Sequence, residues 1–383
     1  MPMGQPSKFP AKQFASTVVA DGFGIMAACE QTLREFRPLE INEPITVAIP
    51  NYNGKPDIAD ALRSVQGSTY LPTEIIVVDD GSTDGSVSFI RQNFPGVRVI
   101  ELGRNSGGML NLVRNRALRE ARTRLVFLMD HDIILEPDCL SVLLSQMRGL
   151  PDAAVLTTRA LFEHDRQRIY VDAQSLHFLC NTVASNRDGY IGQSDIKPTP
   201  SVGWGTQLID KDKALAVGFF DEDYGMGWGD DGEFHHKIRL AGFGCYSVPT
   251  AVVYHKRVEG ANRVYGTVRN RWYIIIETYA LKTLVLLAPA LLLYEAALLL
   301  FLCLKGHRSQ YLSSMREVFR NLPQLLKKRS ELQRSRRIPD KELLVGGPIY
   351  IRANLVEKSY LRFSMTVLNG MFEGYWRLVK NFI

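Results

Sequence analysis

Apolar residues in the first half of the chain form short runs that alternate with amphipathic stretches. The runs predict buried strands; they are ITVAIP (45–50), EIIVVDD (74–80), VRVIEL (97–102) and RLVFLMDHD (124–132). The stretches between them have helical spacing; they are IADALRSVQGS (58–68), SVSFIRQNF (86–94) and MLNLVRNRALREA (109–121). This alternation predicts an α/β fold with a doubly wound, mostly parallel sheet, a Rossmann-like arrangement with helices on both faces.

Polar residues stand at the ends of three predicted strands: Tyr52 after the first, Asp79 and Asp80 after the second, and Asp130 and Asp132 after the fourth. Ligands of such sheets bind beyond the carboxyl ends of the strands, so these residues are expected to meet in one crevice. An Asp-x-Asp pair offers the oxygen ligands that Mg²⁺ or Mn²⁺ prefers. The alternative is a solvated turn in which Asp132 caps the next segment.

Two further acidic groups have similar alternatives. VVDDGSTD (77–84) could hydrogen-bond a base or ribose, or form an Asx-turn that caps a helix. Asp230, Asp231 and Glu233 could serve catalysis, or stand at a helix N-terminus for reasons of capping and helix dipole. One shared site explains the three groups together better than three unrelated structural reasons.

The remainder of the chain divides by composition. Residues 1–44 give weak signals and form an N-terminal extension, and residues 45–271 are expected to form one domain whose later part completes the sheet and the acceptor side. Residues 272–304 are almost wholly apolar and long enough for one transmembrane helix. Residues 305–383 form a basic, amphipathic region expected on a membrane surface.

The charge of the C-terminal region bears on its partner. Ten Lys or Arg and two acids lie between Lys305 and Arg337, which suits an anionic membrane. Nucleic acid is a less suitable partner, because the basic run adjoins an apolar stretch and has no recognised binding motif. If a basic segment and the sheet domain both belong in the cytoplasm, a re-entrant helix pair bent at Pro289 satisfies both; a single crossing helix with a basic tail outside is an equal alternative.

Other features point to the cytoplasmic face of the cell membrane. The five cysteines have no regular spacing, which fits a reducing compartment and excludes a disulfide framework or a zinc site. The first residues, MPMGQPSKFPAKQF, lack the apolar core of a signal peptide.

Together and in this order, the motifs resemble those of inverting family 2 glycosyltransferases of the GT-A fold, in particular membrane-associated rhamnosyl- and mannosyl-type transferases. The resemblance covers about residues 45–275 and is carried by ITVAIPNYNGKPDIADALRSV, EIIVVDDGSTDGS, NSGGMLNLVRNRALREARTRLVFLMDHD and GFFDEDYGMGWGDDGEFHHKIRLAGFG. It implies a nucleotide-diphospho-sugar donor, a Mg²⁺ or Mn²⁺ ion, and a hydroxyl acceptor on a glycan or lipid-linked molecule.

The resemblance also implies roles for individual residues. The positions that correspond to nucleotide-sugar contacts are Pro50, Tyr52, Asp79, Asp80, Asn105, Gly107, Arg114 and Asp130. Asp132 corresponds to the metal ligand, and His255 to a histidine that joins the metal in some relatives. Asp231 corresponds to the general base, with Asp230 beside it on the acceptor side. Trp228 is expected on the acceptor side because aromatic faces suit sugar C–H surfaces, whereas Trp204 could equally be a core residue.

The sequence departs from the family pattern in places. Asp230 replaces the usual Glu and Glu233 the usual Asp, so charge is kept while reach changes. His131, between the two aspartates, is expected to point to the opposite face and pack there. His235 and His236 are expected on the helix surface or the acceptor side, because adjacent helical positions diverge.

The residue types permit a direct displacement. One carboxylate base opposite a leaving diphosphate gives a single in-line step that inverts the anomeric carbon. The processive-type motif QxxRW is missing after the base, which favours addition of one sugar. Two other functions stay open: a nucleotidyltransferase, although IPNYNGKPD is a poor pyrophosphate-gripping loop, and an inactive GT-A module that acts as a membrane scaffold.

Overall fold

The structure of the chain, a computed structural model, describes residues 42–184, 189–191, 197–225, 229–256, 264–349 and 359–383. Nearly all of the N-terminal extension lies outside these residues, and so does Trp228. The described strands are β1 Ile45–Asn51, β2 Glu74–Asp79, β3 Arg98–Glu101, β4 Leu125–Leu128, β5 Ile133–Leu135, β6 Ala153–Phe162, β7 Asp165–Val171, β8 Gln174–His177, β9 Thr182–Ala184, β10 Thr199–Pro200, β11 Gln207–Asp210, β12 Gly244–His255 and β13 Leu344–Val345. The helices are α1 Ile58–Gln66, α2 Ser86–Asn93, α3 Leu110–Glu120, α4 Cys139–Gly149, α5 Lys211–Ala216, α6 Gly232–Leu240, α7 Val264–Thr278, α8 Leu281–Leu304, α9 Arg308–Ser335, α10 Asp340–Leu343 and α11 Ser359–Val379, with a short 3-10 turn at Lys380–Phe382.

Four parallel strands form one half of the central sheet, in the order β4-β1-β2-β3. Ala48 lies opposite Ile76 on one side and Leu128 on the other, so β1 is central and fully buried. Such continuous apolar strands need cover on both faces, which the amphipathic helices supply; α1 buries Ile58, Leu62 and Val65. The predicted α/β fold with a mostly parallel sheet is confirmed.

The second half of the sheet comes from the less periodic part of the chain. Strand β11 is antiparallel to both β4 and β6, and β12 runs parallel to β6. The long β12 also pairs with β5, which places His255 opposite Ile133. This pairing brings the end of β12 beside the segment that follows β4.

Helix α8 differs from the sequence expectation for residues 272–304. Residues 272–278 belong to α7, whose Tyr273 and Ile275 are buried. Helix α8 begins only at Leu281 and continues through Pro289 without a break, so no helix pair bent at this proline is seen in the described residues. Pro289 and Val285 both lie on the exposed side of α8, so the hydrogen bond that a proline removes is not lost from a packed face.

Candidate active site

The ends of β1 and β2 are tied together by buried polar side chains. Asn51 Nδ2 donates to Asp79 Oδ2 at 2.7 Å and to Ser86 Oγ at 3.0 Å. Ser82 donates to the same carboxylate from its backbone N–H at 2.9 Å and from its hydroxyl at 2.6 Å. Asp79 therefore fixes the loop between β2 and α2.

Asp80 holds the next loop in a similar way. Its carboxylate accepts from Asn105 Nδ2 at 3.1 Å and from the hydroxyl and backbone N–H of Ser106 at 2.7 and 2.8 Å. Asn105 Oδ1 in turn accepts from the N–H of Gly107, which has a φ of +75° that suits glycine. Asp80, Asn105 and Gly107, three of the predicted nucleotide-sugar residues, thus form one cluster.

The two predicted residues on β1 differ in accessibility. Pro50 is a buried member of the strand and lies opposite Val78. Tyr52 comes just after the strand, with 48% of its surface exposed. Of the two, Tyr52 is the residue that can reach a ligand beyond the sheet edge.

The segment after β4 adjoins both β1 and β12. The His131 ring lies so close to Gly54 that a Cβ there would be 2.8 Å from it, which agrees with the packed role expected of His131. The backbone N–H of Lys256 donates to the carbonyl of Asp132 at 3.1 Å. Burial raises the pKa of Asp132, Asp130 raises it further, and His255 and His131 oppose the rise.

Arg114 connects the end of β4 with the acidic pair before α6. Its buried guanidinium lies 3.4 Å from Asp230 Oδ2. Burial alone would lower the pKa of Arg114, but the carboxylates of Asp230, Asp130 and Asp231 outweigh it and raise the pKa. Gly205 makes this approach possible, since a Cβ there would lie 2.7 Å from the guanidinium.

Asp231 borders a cavity of about 260 Å³. Asp231 Oδ2 accepts from the backbone N–H of Trp204 at 3.0 Å, and the Trp204 indole donates to Thr158 Oγ1 at 2.9 Å. The cavity is lined by Tyr170, Val171, Gln174, Leu176, Thr182, Val202, Gly203, Trp204, Gly229, Asp230, Asp231, Gly232 and Ile274. Trp204 therefore faces the site, and the carboxylate of Asp231 is held where a bound molecule can meet it.

Replacement of Asp230 by Asn is expected to raise the melting temperature at pH 8 by roughly 2–4 °C and to change it little at pH 4. Burial and then the charge of Asp231 raise the pKa of Asp230 to about 7, against about 3.9 in an unfolded chain. Between these values the folded chain binds a proton that the unfolded chain has lost, so stability falls as pH rises. Asn mimics the protonated carboxyl, so its benefit appears only at high pH. Thermal unfolding at both pH values measures this, and an equal gain at pH 4 would contradict it.

The expectation that His235 and His236 lie on the helix surface is wrong, because both side chains are fully buried. His235 Nδ1 accepts from the N–H of Gly203 at 2.5 Å, and its Nε2 lies 2.5 Å from Gln207 Oε1. Helix α6 is enclosed by β12 on one side and by α7, α9 and α10 on others, so adjacent positions are both covered. His235 positions the loop that carries Trp204.

A second cluster of carboxylates consists of Asp221, Glu233 and Glu277. Lys328 contacts Asp221, and Lys237 Nζ lies 2.9 Å from Glu233. Burial raises the pKa values of Glu233 and Glu277. These two lysines offset part of the negative charge of the group, whose side chains lie where α6, α7 and α9 meet.

Asn111 is a positioning residue that the sequence analysis missed. It is fully buried, and its Nδ2 donates to the backbone carbonyls of Asp230 at 2.7 Å and Asp221 at 2.9 Å. Asn115 donates to the carbonyl of Phe220, the residue before Asp221, at 2.9 Å. The signal was present, because Asn111, Arg114 and Asn115 share one face of α3 at helical spacing.

Comparisons with known proteins agree with this architecture. The fold resembles the crystal structure of GalNAc-T7 with UDP, GalNAc and Mn²⁺, at a TM-score of 0.51 and 14% identity, over 69% of this chain and 58% of that one. Such a likeness shows the fold alone, which is that of the GT-A transferases. Residues 46–206 match the family Glycosyl transferase family 2, so the chain contains a family 2 glycosyltransferase domain, as its motifs predicted.

Two curated relatives illustrate the family. The chain is 24% identical over 251 residues to the N-acetylglucosaminyl-diphospho-decaprenol L-rhamnosyltransferase of Mycobacterium tuberculosis, covering 58% of this chain and 79% of that protein. It is 32% identical over 124 residues to the putative teichuronic acid biosynthesis glycosyltransferase of Bacillus subtilis, covering 32% and 48%. The chain spans less than half the length of several relatives, for example 36% of the chondroitin synthase of Escherichia coli.

Proposed function

We propose that this chain is a metal-dependent inverting glycosyltransferase that moves a sugar from a nucleotide-diphospho-sugar to a hydroxyl of a glycan or lipid-linked acceptor at the cytoplasmic face of the cell membrane. One observation carries the proposal: the buried Arg114 guanidinium lies 3.4 Å from Asp230 Oδ2, and the charges of Asp230, Asp130 and Asp231 raise its pKa. This arrangement supports a shared site for the carboxylates of the donor and acceptor sides. The names of the two relatives, which refer to a diphospho-decaprenol and to teichuronic acid, support an acceptor of this class.

The general base in this proposal is Asp231. The acceptor hydroxyl gives its proton to the Asp231 carboxylate, and its oxygen forms a bond to the anomeric carbon. The bond from that carbon to the diphosphate breaks, and the nucleoside diphosphate leaves with the electron pair. Attack opposite the leaving group inverts the configuration, and no second carboxylate is needed as a nucleophile.

Asp132 and His255 would hold a divalent cation. Burial and the charge of Asp130 both raise the pKa of Asp132. An ionised Asp132 beside Asp130 is therefore unfavourable unless a cation balances the two negative charges. His255 Nδ1 is buried without a hydrogen-bond partner in the described part of the chain. When bound, Mg²⁺ or Mn²⁺ supplies charge stabilisation to the leaving diphosphate.

The acceptor side is the cavity beside Asp231. The rings of Tyr170 and Trp204 lie 5.9 Å apart along it and offer faces against which a sugar can pack. Asp230 lies next to the base Asp231, and the positive charge of Arg114, 3.4 Å away, offsets the negative charge of Asp230.

Turnover of a panel of UDP-, GDP- and dTDP-sugars, with Mn²⁺ or Mg²⁺ and membrane lipid extract as the acceptor source, tests the proposal. We expect release of nucleoside diphosphate from one donor, and loss of release when a chelator removes the cation. Metal-dependent donor binding without release under any acceptor condition would instead favour a scaffold.

A further inference from the structure

Helix α8 has two distinct faces along its whole length. One face carries the buried side chains: Thr283, Leu287, Ala290 and Leu291 in the first half, and Leu302 in the last turn. Between them the same face is half-buried, for example at Tyr294, Glu295 and Leu298. Large apolar side chains are exposed on the other face; they are Leu281, Val285, Leu292, Leu293, Leu300 and Leu304. The helix is thus half covered by the rest of the chain from its first turn to its last.

Polar contacts fix α8 to the folded domain near its middle. Glu295 lies 2.6 Å from Nη1 of the buried Arg271 and accepts from the Tyr311 hydroxyl at 2.8 Å. One residue earlier, the Tyr294 hydroxyl donates to Asn181 Oδ1 at 3.2 Å. These partners come from three different parts of the chain.

The contacts are difficult to reconcile with a helix that crosses a bilayer. Helix α8 has 24 residues and is about 36 Å long, so its middle would lie at the centre of a hydrocarbon core of about 30 Å. Arg271 and Asn181 would then lie at the same depth, together with the adjoining turns of the basic α9. Charged residues at that depth are costly, and the long α9 carries many.

A second helix exposes an apolar stripe of the same kind. The exposed residues Phe363, Val367, Met371, Leu378 and Phe382 recur at steps of four or seven along α11 and the turn after it. The two helices pack together, because the Tyr375 hydroxyl donates to the carbonyl of Leu286 at 2.5 Å and the rings of Tyr294 and Phe372 lie 6.2 Å apart. The exposed residues of α8 and α11 named here are called the apolar surface.

Charge indicates what covers the apolar surface. Helix α9, which packs on α8, exposes the cations Arg308, Arg316, Arg320, Lys327 and Arg334. An apolar surface with neighbouring Lys and Arg is complementary to a membrane leaflet whose headgroups are anionic.

We propose that α8 does not cross the membrane, and that the apolar surface lies in the interface plane of an anionic bilayer. The helices on either side of α8 then lie on one side of the membrane, with α7 and the basic α9 both in the cytoplasm. The inference goes beyond the proposed function, since it rests on no catalytic residue.

Depth measurements on the full chain test the orientation of α8. Leu281, Leu292 and Leu304 are each 69–70% exposed and stand at the start, middle and end of the helix. Each is replaced by Cys in a chain with Cys29→Ser and Cys303→Ser, labelled with a fluorophore, and bound to phosphatidylglycerol vesicles containing nitroxide lipids of shallow or deep label. We expect all three positions to be quenched best by the shallow label. Deep quenching at 292 alone would show a crossing helix, and quenching at none would show that another partner covers the surface; either result overturns the proposal.

A matched pair of variants tests the surface itself. Leu292→Asp with Leu300→Asp is expected to weaken binding to phosphatidylglycerol vesicles by about tenfold or more, because it places two charges at the acyl boundary. Leu71→Asp, on a leucine 68% exposed between α1 and β2, is expected to leave binding unchanged. Equal loss in both variants, or loss in neither, would contradict the inference. Donor and acceptor are omitted, so a failure here leaves the proposed transfer reaction untouched.

Discussion

Replacement of Asp231 by Asn is expected to lower sugar transfer by about 10²–10⁴-fold while donor binding persists. The amide keeps the shape of the side chain and can still accept the N–H of Trp204, which lies 3.0 Å from Asp231 Oδ2. It cannot take a proton from an acceptor hydroxyl. The loss should therefore fall on kcat, whereas donor affinity, measured by calorimetry with the nucleoside diphosphate and Mn²⁺, should change little.

Asp230 is the competing candidate for the base, because a pKa of about 7 also suits proton transfer near neutral pH. Its carboxylate, however, is engaged by the buried Arg114 guanidinium at 3.4 Å, so it is less free to reach an acceptor hydroxyl. The Asp230→Asn variant should therefore keep more activity than Asp231→Asn. The reverse order would assign the base to Asp230.

The control for this pair is Asp212→Asn, a change of the same type at a side chain 54% exposed on α5. Its contact with Arg124 at 3.6 Å is a surface ion pair of about 0–1 kcal/mol. Transfer and melting temperature should stay near those of the original chain. If Asp212→Asn lost as much activity as Asp231→Asn, the assay would be reporting stability and not proton transfer.

The first half of the sheet could be predicted because its signals are local. Strands β1 and β4 are runs of buried residues, most of β2 is buried, and each helix between the first four strands has its own amphipathic spacing. Strand β11, by contrast, is only four residues long and runs antiparallel between β4 and β6. Nothing in QLID itself specifies those partners, which are set by packing over a long sequence separation.

The parts of the candidate site at strand ends could be predicted from the sequence, because acidic residues stand there. The parts buried by distant elements could not be predicted. Asp80 was expected at the end of β2, and there its carboxylate contacts Asn105, which the resemblance had assigned to the same ligand. His236, in contrast, is buried partly by the segment around Asp340 and Tyr279, more than forty positions further along the chain. The pattern of α6 could not reveal that cover, so its surface was assigned incorrectly.

The continuous α8 illustrates the same limit. Pro289 is a local signal for a bend or break, but the helix is continuous through it and contacts Asn181, Arg271 and Tyr375. Helix stability in proteins comes mainly from such packing and less from local propensity. The break that the structure does show, at residues 279–280, coincides with the N–H of Ala280 donating to Asp340 Oδ2 at 2.7 Å.

Replacement of Asp132 by Asn is expected to lower transfer by about 10²–10³-fold and to leave the metal-free chain as stable or slightly more stable above neutral pH. Burial and Asp130 raise the pKa of Asp132, so the ionised carboxylate costs folding free energy that Asn does not. The same ionised carboxylate is what a divalent cation requires. Stability without metal and activity with metal should therefore change in opposite directions.

Thermal unfolding with and without Mn²⁺ plus nucleoside diphosphate separates the two effects. The original chain should gain melting temperature on addition of both ligands, and Asp132→Asn should gain little, since a ligand stabilises only a state that binds it. Asp138→Asn is the matched control, because this aspartate is exposed six residues further along and makes no side-chain cap to α4. Should Asp132→Asn retain the full ligand-induced gain, the cation would bind elsewhere, and Asp132 would be a capping residue of the turn before β5.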